Sequence, residues 1–166
     1  MFYPPSAMGA AAPKPLPHPA ERRSKFIAIF HCPVKIIQRS KGRSAVAAAA
    51  YRSGEKLTNE WDGEIHDYTH KGGIVHREIM LPVHAPPEFA DRFTLWNSVE
   101  KIEKSSDAQL AREIEVAFPV ELSRVEQLAL VRSFIQDNFV AAGMCADFSI
   151  HDKGTGNPHA HIMLTM

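Results

Sequence analysis

The chain has 166 residues, of which 45% are hydrophobic and 23% charged, and its formal net charge is zero. This length suits one domain with a buried core, and the composition is that of an ordinary globular protein rather than a disordered or membrane protein. A formal net charge of zero argues against a protein that coats nucleic acid nonspecifically. The two cysteines, Cys32 and Cys145, fit neither a metal framework nor a disulfide framework, which favours a reducing, cytoplasmic setting.

The first 25 residues are rich in proline and alanine, which predicts a disordered extension over residues 1–25. This segment lacks the continuous apolar centre of a secretion signal. The pattern of a folded domain starts at Phe26, so we expect one domain over residues 26–166. Its first element is predicted to be a short apolar strand over residues 26–32.

A basic segment follows over residues 34–56. Its cations, set against the single acid Glu55, are Lys35, Arg39, Lys41, Arg43, Arg52 and Lys56. Within this segment Ser44 is expected to cap a helix that runs through a series of alanines to about Arg52 and stops at Gly54. Taken alone, the segment would be interpreted as a solvated basic surface.

A strand and a helix are predicted in the middle of the chain. Residues 74–81 form the strand, and Pro82 stops it. Pro86 and Pro87 then open a helix. Its apolar residues at helical spacing, which mark a face toward the core, are Phe89, Phe93, Trp96 and Val99.

The next strand, over residues 112–118, alternates cleanly. Glu113 and Glu115 are expected on one of its faces, and apolar residues on the other. Ser123 and Glu126 form a capping-box signature, which predicts a helix that continues to a stop at Gly143.

The chain ends in a predicted hairpin: a strand over residues 145–151, a turn over residues 152–157, and a strand that starts near His159. Because alternate side chains of a strand share a face, His159 and His161 should project together. His151 should join them from the preceding strand. These elements predict an α+β fold in which helices pack on one face of an antiparallel sheet and leave an open polar face with the histidines.

Three imidazoles on one face of a hairpin favour a divalent metal site, since neutral imidazole is a common metal ligand that leaves the ion its full charge. His31 is a further candidate, but its neighbours favour a core or edge position. Tyr51 lies at the end of the alanine helix. A tyrosine hydroxyl, with an unperturbed pKa of about 10, is a weak nucleophile until a base or cation assists it. Tyr68 competes for this role, but it lies in a polar segment typical of a turn.

Several separated motifs occur in an order that resembles the plasmid mobilisation relaxases of the MobA/MobL type, members of a wider group with a His-hydrophobe-His motif. The motifs are Ile29-Phe30-His31, the run from Gly42 to Tyr51, Asp67-Tyr68-Thr69 with Lys71, Ala111-Arg112-Glu113-Ile114, and Asn157-Pro158-His159-Ala160-His161. The resemblance covers the chain from about Phe26 to its end. Relaxase domains of this type normally continue further, so the resemblance implies a domain truncated at its C-terminus.

The resemblance implies a relaxase-like, palm-like fold and an enzyme that binds single-stranded DNA at an origin of transfer, nicks it and stays attached to the 5′ phosphate. Tyr51 matches the nucleophile position. The matching metal ligands, for Mg²⁺ or Mn²⁺, are His151, His159 and His161. Glu113 matches an acidic position and would either accept the tyrosine proton or orient a histidine, with Glu115 as the alternative.

Positively charged residues near the tyrosine are expected to contact the DNA backbone: Lys41, Arg43 and Arg52. Accessory mobilisation proteins and a coupling protein are expected partners, and no membrane contact is expected. Three other functions stay open. These are a rolling-circle replication initiator or transposase of the same group, a phosphodiesterase in which water attacks, and a truncated remnant that binds DNA without cutting it.

Overall fold

The computed structural model describes residues 32–166. The extension predicted over residues 1–25, His31 and all but the last residue of the strand predicted over residues 26–32 lie outside this range. The last residue of that strand, Cys32, is not in a strand. The first described strand instead lies at Val34–Gln38, within the basic segment. Val34 and Ile36 are exposed and Ile37 is buried, so the apolar residues of this strand lie on both of its faces and do not mark one buried side.

Seven strands and three α-helices make up the described part of the chain. The strands are β1 (Val34–Gln38), β2 (Lys56–Thr58), β3 (Ile65–Asp67), β4 (Ile74–Met80), β5 (Gln109–Ala117), β6 (Ala146–His151) and β7 (His159–Leu164). The helices are α1 (Ala45–Ser53), α2 (Arg92–Ile102) and α3 (Arg124–Ile135). Five strands form an antiparallel sheet in the order β1-β5-β7-β6-β4, while β2 and β3 form a separate hairpin.

The predicted ends of α1 and the predicted start of α3 are confirmed, but α3 ends at Ile135, where a π-helical segment over Gln136–Val140 follows, and does not continue to Gly143. Ser44 accepts a hydrogen bond from the Ala47 amide at the start of α1, and Gly54 ends the helix in the left-handed conformation, at φ 65°. Ser123 and Glu126 form the complete capping box of α3. Helix α2 begins at Arg92, after a short 3-10 turn at Pro87–Ala90, so it starts later than the two prolines indicate.

The α+β class and the antiparallel sheet are confirmed, but helices lie against both sheet faces rather than one. Helix α3 packs its Val131 and Ile135 on the face formed by Phe148, Ile150 and Ile162. On the opposite face, which we call the histidine face, Met163 packs in one core with residues of α1 and α2. The polar face that we expected to be open is therefore partly covered.

A buried polar cluster explains why α2 covers this polar face. Asp147 of β6 is 4% exposed and lies on the histidine face. Its carboxylate accepts hydrogen bonds from Arg92 Nε and Nη2, at 2.8 and 2.7 Å, and from Trp96 Nε1 at 2.8 Å. Because these α2 donors satisfy the buried charge, the alternating polar residues of β6 can be covered by a helix. None of the helices in the described range is long and apolar enough to span a membrane.

Candidate active site

The hairpin of β6 and β7 brings the three predicted histidines together. His151 lies opposite His159 in the register, and His161 lies two residues further along the same face of β7. One ligand atom from each ring lies within 4.8 Å of the other two. The ring centroids are 4.8 to 5.5 Å apart. Three imidazoles at this spacing can bind one metal ion.

Each ring is oriented by a hydrogen bond from one of its two nitrogens. His151 Nε2 lies 2.7 Å from the carbonyl oxygen of Arg52, and His159 Nδ1 lies 2.8 Å from the carbonyl oxygen of Asn157. Carbonyl oxygens only accept, so both nitrogens carry the hydrogen and donate it. His161 Nδ1 lies 3.1 Å from Glu113 Oε1 and donates in the same way. Every ring therefore keeps one lone pair for a metal, as metal-binding histidines usually do.

His151 is the most enclosed of the three ligand candidates, with 7% of its surface exposed. Burial, followed by the charges of neighbouring groups, lowers the pKa of His151 to about 4, against the opposing effect of its bond to the Arg52 carbonyl. The neutral ring that this favours near pH 7 is the form that binds metals.

Glu113 is buried beneath α1 and does not lie on an open surface as its place in an alternating strand suggests. It is 2% exposed, and Arg52 donates to its carboxylate from Nε at 2.6 Å and from Nη2 at 2.5 Å. Burial alone would raise the pKa of Glu113. The hydrogen bond from His161 and the charge of Arg52 outweigh burial and hold this pKa at about 2. Glu113 is therefore an anion that orients His161.

The alternative acid, Glu115, lies on the same face but makes weaker contacts. Its Oε2 is 3.9 Å from His161 Nδ1 and 4.0 Å from Lys35 Nζ, and its side chain is 25% exposed. These distances exceed those of a hydrogen bond. Between the two acids, it is Glu113 that the structure places in contact with a histidine.

Tyr51 lies in the last turn of α1 and is 46% exposed. It lines a cavity of about 300 Å³ together with His151, His159 and His161. Tyr68 packs its ring edge-to-face against the Tyr51 ring, with the centroids 5.1 Å apart, and is partly buried against the core of the histidine face. The tyrosine that shares the histidine cavity is thus Tyr51.

The three predicted DNA-contacting cations differ in their surroundings. Lys41 and Arg43 are exposed just before α1, and Arg43 lines a second cavity of about 450 Å³ that also reaches Tyr51. Arg52 is bound to Glu113, and its Nη1 also donates to the Ala48 carbonyl oxygen at 3.2 Å. Arg52, which we predicted to contact a DNA phosphate, thus has protein partners in this structure.

Lys71 is a residue of the cavity for which the sequence predicted no role of its own. It lines the histidine cavity, and its Nζ is 3.5 Å from the centroid of the Tyr51 ring. Burial, followed by the charges of Arg52 and Lys153, lowers the pKa of Lys71 to about 8. The flanking pair Gly72 and Gly73 is a loop signal, but no local pattern indicates which residue this loop contacts.

This fold and site define an α+β protein whose antiparallel sheet presents three converging histidines beside a tyrosine at the end of a helix. A profile of the MobA/MobL family matches residues 43–166, and the chain belongs to this family. The expected relaxase resemblance is therefore confirmed.

Related proteins agree with this assignment. The chain is 43% identical to the conjugal transfer protein TraA of Rhizobium radiobacter over 84% of its own length and 14% of that protein. It is 38% identical to the mobilization protein MobL of Acidithiobacillus ferridurans, over 84% of the chain and 43% of that protein. The chain thus spans a minor part of the length of these relatives.

A solved structure described as the molecular basis of vancomycin resistance transfer in Staphylococcus aureus has the same fold. Its TM-score is 0.79 and its sequence identity 33%, over 83% of this chain and 70% of that one. The relaxase-like fold class is confirmed by this likeness.

Proposed function

We propose that this domain nicks one DNA strand at a plasmid origin of transfer and remains joined to the new 5′ phosphate through Tyr51. The observation that carries this proposal is the shared cavity of Tyr51, His151, His159 and His161. A nucleophile and a group of metal ligands on one cavity are what phosphoryl transfer requires, since this chemistry depends on positioning and charge compensation. Membership of a family of mobilisation proteins supports an origin of transfer as the target.

The reaction would be a transesterification. The Tyr51 hydroxyl oxygen forms a bond to the scissile phosphorus, and the bond from phosphorus to the 3′ oxygen breaks. The phenol loses its proton to solvent, and the departing 3′ oxygen gains one, so no net hydrolysis takes place. Rejoining is the same reaction in reverse, with a 3′ hydroxyl as the attacking group.

The residues present fit a divalent metal ion. His151, His159 and His161 would hold it through the nitrogens that their hydrogen bonds leave with a lone pair. The ion would supply positive charge that polarises the scissile phosphate. Mg²⁺ prefers oxygen ligands, whereas imidazole suits transition metals, so Mn²⁺ fits this donor set better than Mg²⁺.

Within this proposal Glu113 orients a metal ligand and is not the general base. A carboxyl with a pKa of about 2 binds a proton too weakly to take one efficiently from a phenol. Arg52 holds Glu113 in place through two hydrogen bonds. Lys41 and Arg43 are the cations that we assign to the backbone of the DNA strand, because both are exposed and Arg43 lines the cavity that reaches Tyr51.

The other functions make different predictions. A rolling-circle initiator or transposase would use the same residues on another DNA site, and the family match favours mobilisation. A phosphodiesterase that activates water would not need Tyr51. A remnant that only binds DNA would form no covalent adduct with DNA, whichever metal ion is present.

The experiment that tests the proposal is incubation of the protein and Mn²⁺ with single-stranded oligonucleotides from the neighbouring plasmid origin. A covalent adduct should form in the wild-type protein and in Tyr68→Phe, but not in Tyr51→Phe. Peptide mapping of the adduct then identifies the attached residue. Attachment at Tyr68, or cleavage without any adduct, would reject the role of Tyr51.

A further inference from the structure

The loop between β3 and β4 carries Lys71 to the same side of the sheet as Tyr51. Two hydrogen bonds to Asp67 Oδ1 begin this loop, from the Thr69 amide at 3.1 Å and the Thr69 hydroxyl at 2.7 Å. The Lys71 amide then donates to the Tyr68 carbonyl oxygen at 2.9 Å. These bonds fold the loop back on itself, so hydrogen bonds within the loop fix the backbone position of Lys71.

Lys71 contacts Tyr51 at two places. Its Nζ donates to the Tyr51 carbonyl oxygen at 2.7 Å and lies 3.5 Å from the centroid of the Tyr51 ring. An ammonium group over an aromatic face is attracted by the ring quadrupole, which gives the contact a preferred geometry. On another side, the Tyr68 ring packs edge-to-face at a centroid distance of 5.1 Å. The exposed Tyr51 ring therefore contacts both Lys71 and Tyr68.

The charge of Lys71 is available to a ligand. Within residues 32–166, no carboxylate forms an ion pair with its Nζ. The side chain lines the cavity of about 300 Å³ that the three histidines share with Tyr51. A phosphate that occupied this cavity would find the ammonium group beside the attacking residue.

We infer that Lys71 is a positioning residue for the nucleophile: it holds the Tyr51 ring at the cavity of the three histidines, beside the bound phosphate. This inference rests on the proposed function. A displaced nucleophile still permits DNA binding but slows attack, because a misplacement of 1 Å can cost about 100-fold in rate. The role of Lys71 should therefore appear in the rate at saturating DNA more than in DNA affinity.

The test compares three variants. Lys71→Met keeps an unbranched side chain of similar length but removes the charge, while Lys71→Arg keeps a cation that can lie over a ring. Lys104→Met is the matched control, because Lys104 is an exposed lysine that does not line this cavity. For each protein, the first-order rate of adduct formation at saturating oligonucleotide and the Kd for that oligonucleotide are measured with Mn²⁺ present.

For Lys71→Met we expect a loss of about 10- to 100-fold in the saturated rate. Lys71→Arg should recover most of this loss. Lys104→Met should keep both the saturated rate and the Kd of the wild-type protein. A wild-type saturated rate in Lys71→Met, or an equal loss of this rate in Lys104→Met, would overturn the inference.

A second measurement needs no activity. The protein labelled with 3-fluorotyrosine gives three fluorine signals, since it has three tyrosines, and Tyr51→Phe assigns one of them. In the DNA-free protein the Tyr51 signal should move toward that of the free amino acid in Lys71→Met, but not in Lys71→Arg or Lys104→Met. An unmoved signal rejects the inference. If the wild-type protein forms no adduct, the proposed function fails, and the fluorine signal still decides whether Lys71 holds the ring.

Discussion

Arg52 holds Glu113 by two hydrogen bonds, from Nε to Oε1 at 2.6 Å and from Nη2 to Oε2 at 2.5 Å. The same two residues contact two of the histidines, since the Arg52 carbonyl oxygen accepts from His151 and the Glu113 carboxylate accepts from His161. Arg52 also follows Tyr51 directly in α1. The ion pair therefore fixes the end of the helix that carries the proposed nucleophile relative to the proposed metal ligands.

Replacing Glu113 by glutamine should weaken metal binding by about 10- to 100-fold, as is typical when the partner of a metal-binding histidine is lost. The amide is a weaker acceptor for His161, and it leaves the half-buried Arg52 without a counter-charge. Calorimetry with Mn²⁺ measures the change. The control is Glu115→Gln, because Glu115 lies 3.9 Å from the same nitrogen and should leave the affinity nearly unchanged. Equal effects of both variants would contradict the role of Glu113.

His161→Ala should reduce Mn²⁺ affinity and adduct formation together, since one of three ligands is removed. His76→Ala serves as the comparison. That histidine lies on β4, at 2.8 Å from Glu78, and is not part of the cluster. Calorimetry and the adduct assay should show both losses in His161→Ala alone. Unaltered ion affinity in this variant would count against the metal site.

The double variant Lys41→Ala/Arg43→Ala should weaken oligonucleotide binding and flatten its dependence on salt. Each lost phosphate contact lowers the slope of log K against log salt by about 0.7 for a single strand. Lys101→Ala is the control, because Lys101 is paired with Glu60 at 2.5 Å. Fluorescence anisotropy over a salt series gives the slope of log K against log salt for the wild-type protein and for each variant. An unchanged slope in the double variant would place the strand elsewhere on the surface.

Asp147→Ala should destabilise the fold by about 3 to 5 kcal/mol, the usual effect of breaking a buried ion pair. Arg92, which is 8% exposed in the wild-type protein, would keep its charge but lose two hydrogen bonds. Glu55 would still accept a hydrogen bond from its Nη1. The comparison is Asp152→Ala, which removes the more exposed pair with Arg124 and should cost about 0 to 1 kcal/mol. Urea denaturation measures both values. A small effect at Asp147 would mean that the cluster does not hold α2 on the sheet.

The features that sequence predicted correctly depend on local periodicity and capping. His159 and His161 share a face because strand side chains alternate with a period of two, whatever the rest of the chain does. The limits of α1 follow in the same way from a serine that caps it and a glycine that can adopt positive φ. The exposed edge strand β1 was missed, since pairing with β5 defines it and its apolar side chains lie on both of its faces.

The features that only the tertiary structure decided depend on contacts between distant segments. Strand periodicity places both Glu113 and Glu115 on one face of β5. Helix α1 covers only one end of that face. Of the two acids, Glu113 alone is therefore buried against Arg52, which lies 61 residues away in the sequence. Lys71 reaches Tyr51 across 20 residues because the loop folds back toward α1. A local pattern states which way a side chain points, whereas the packing of helices and loops on the sheet determines what it meets there.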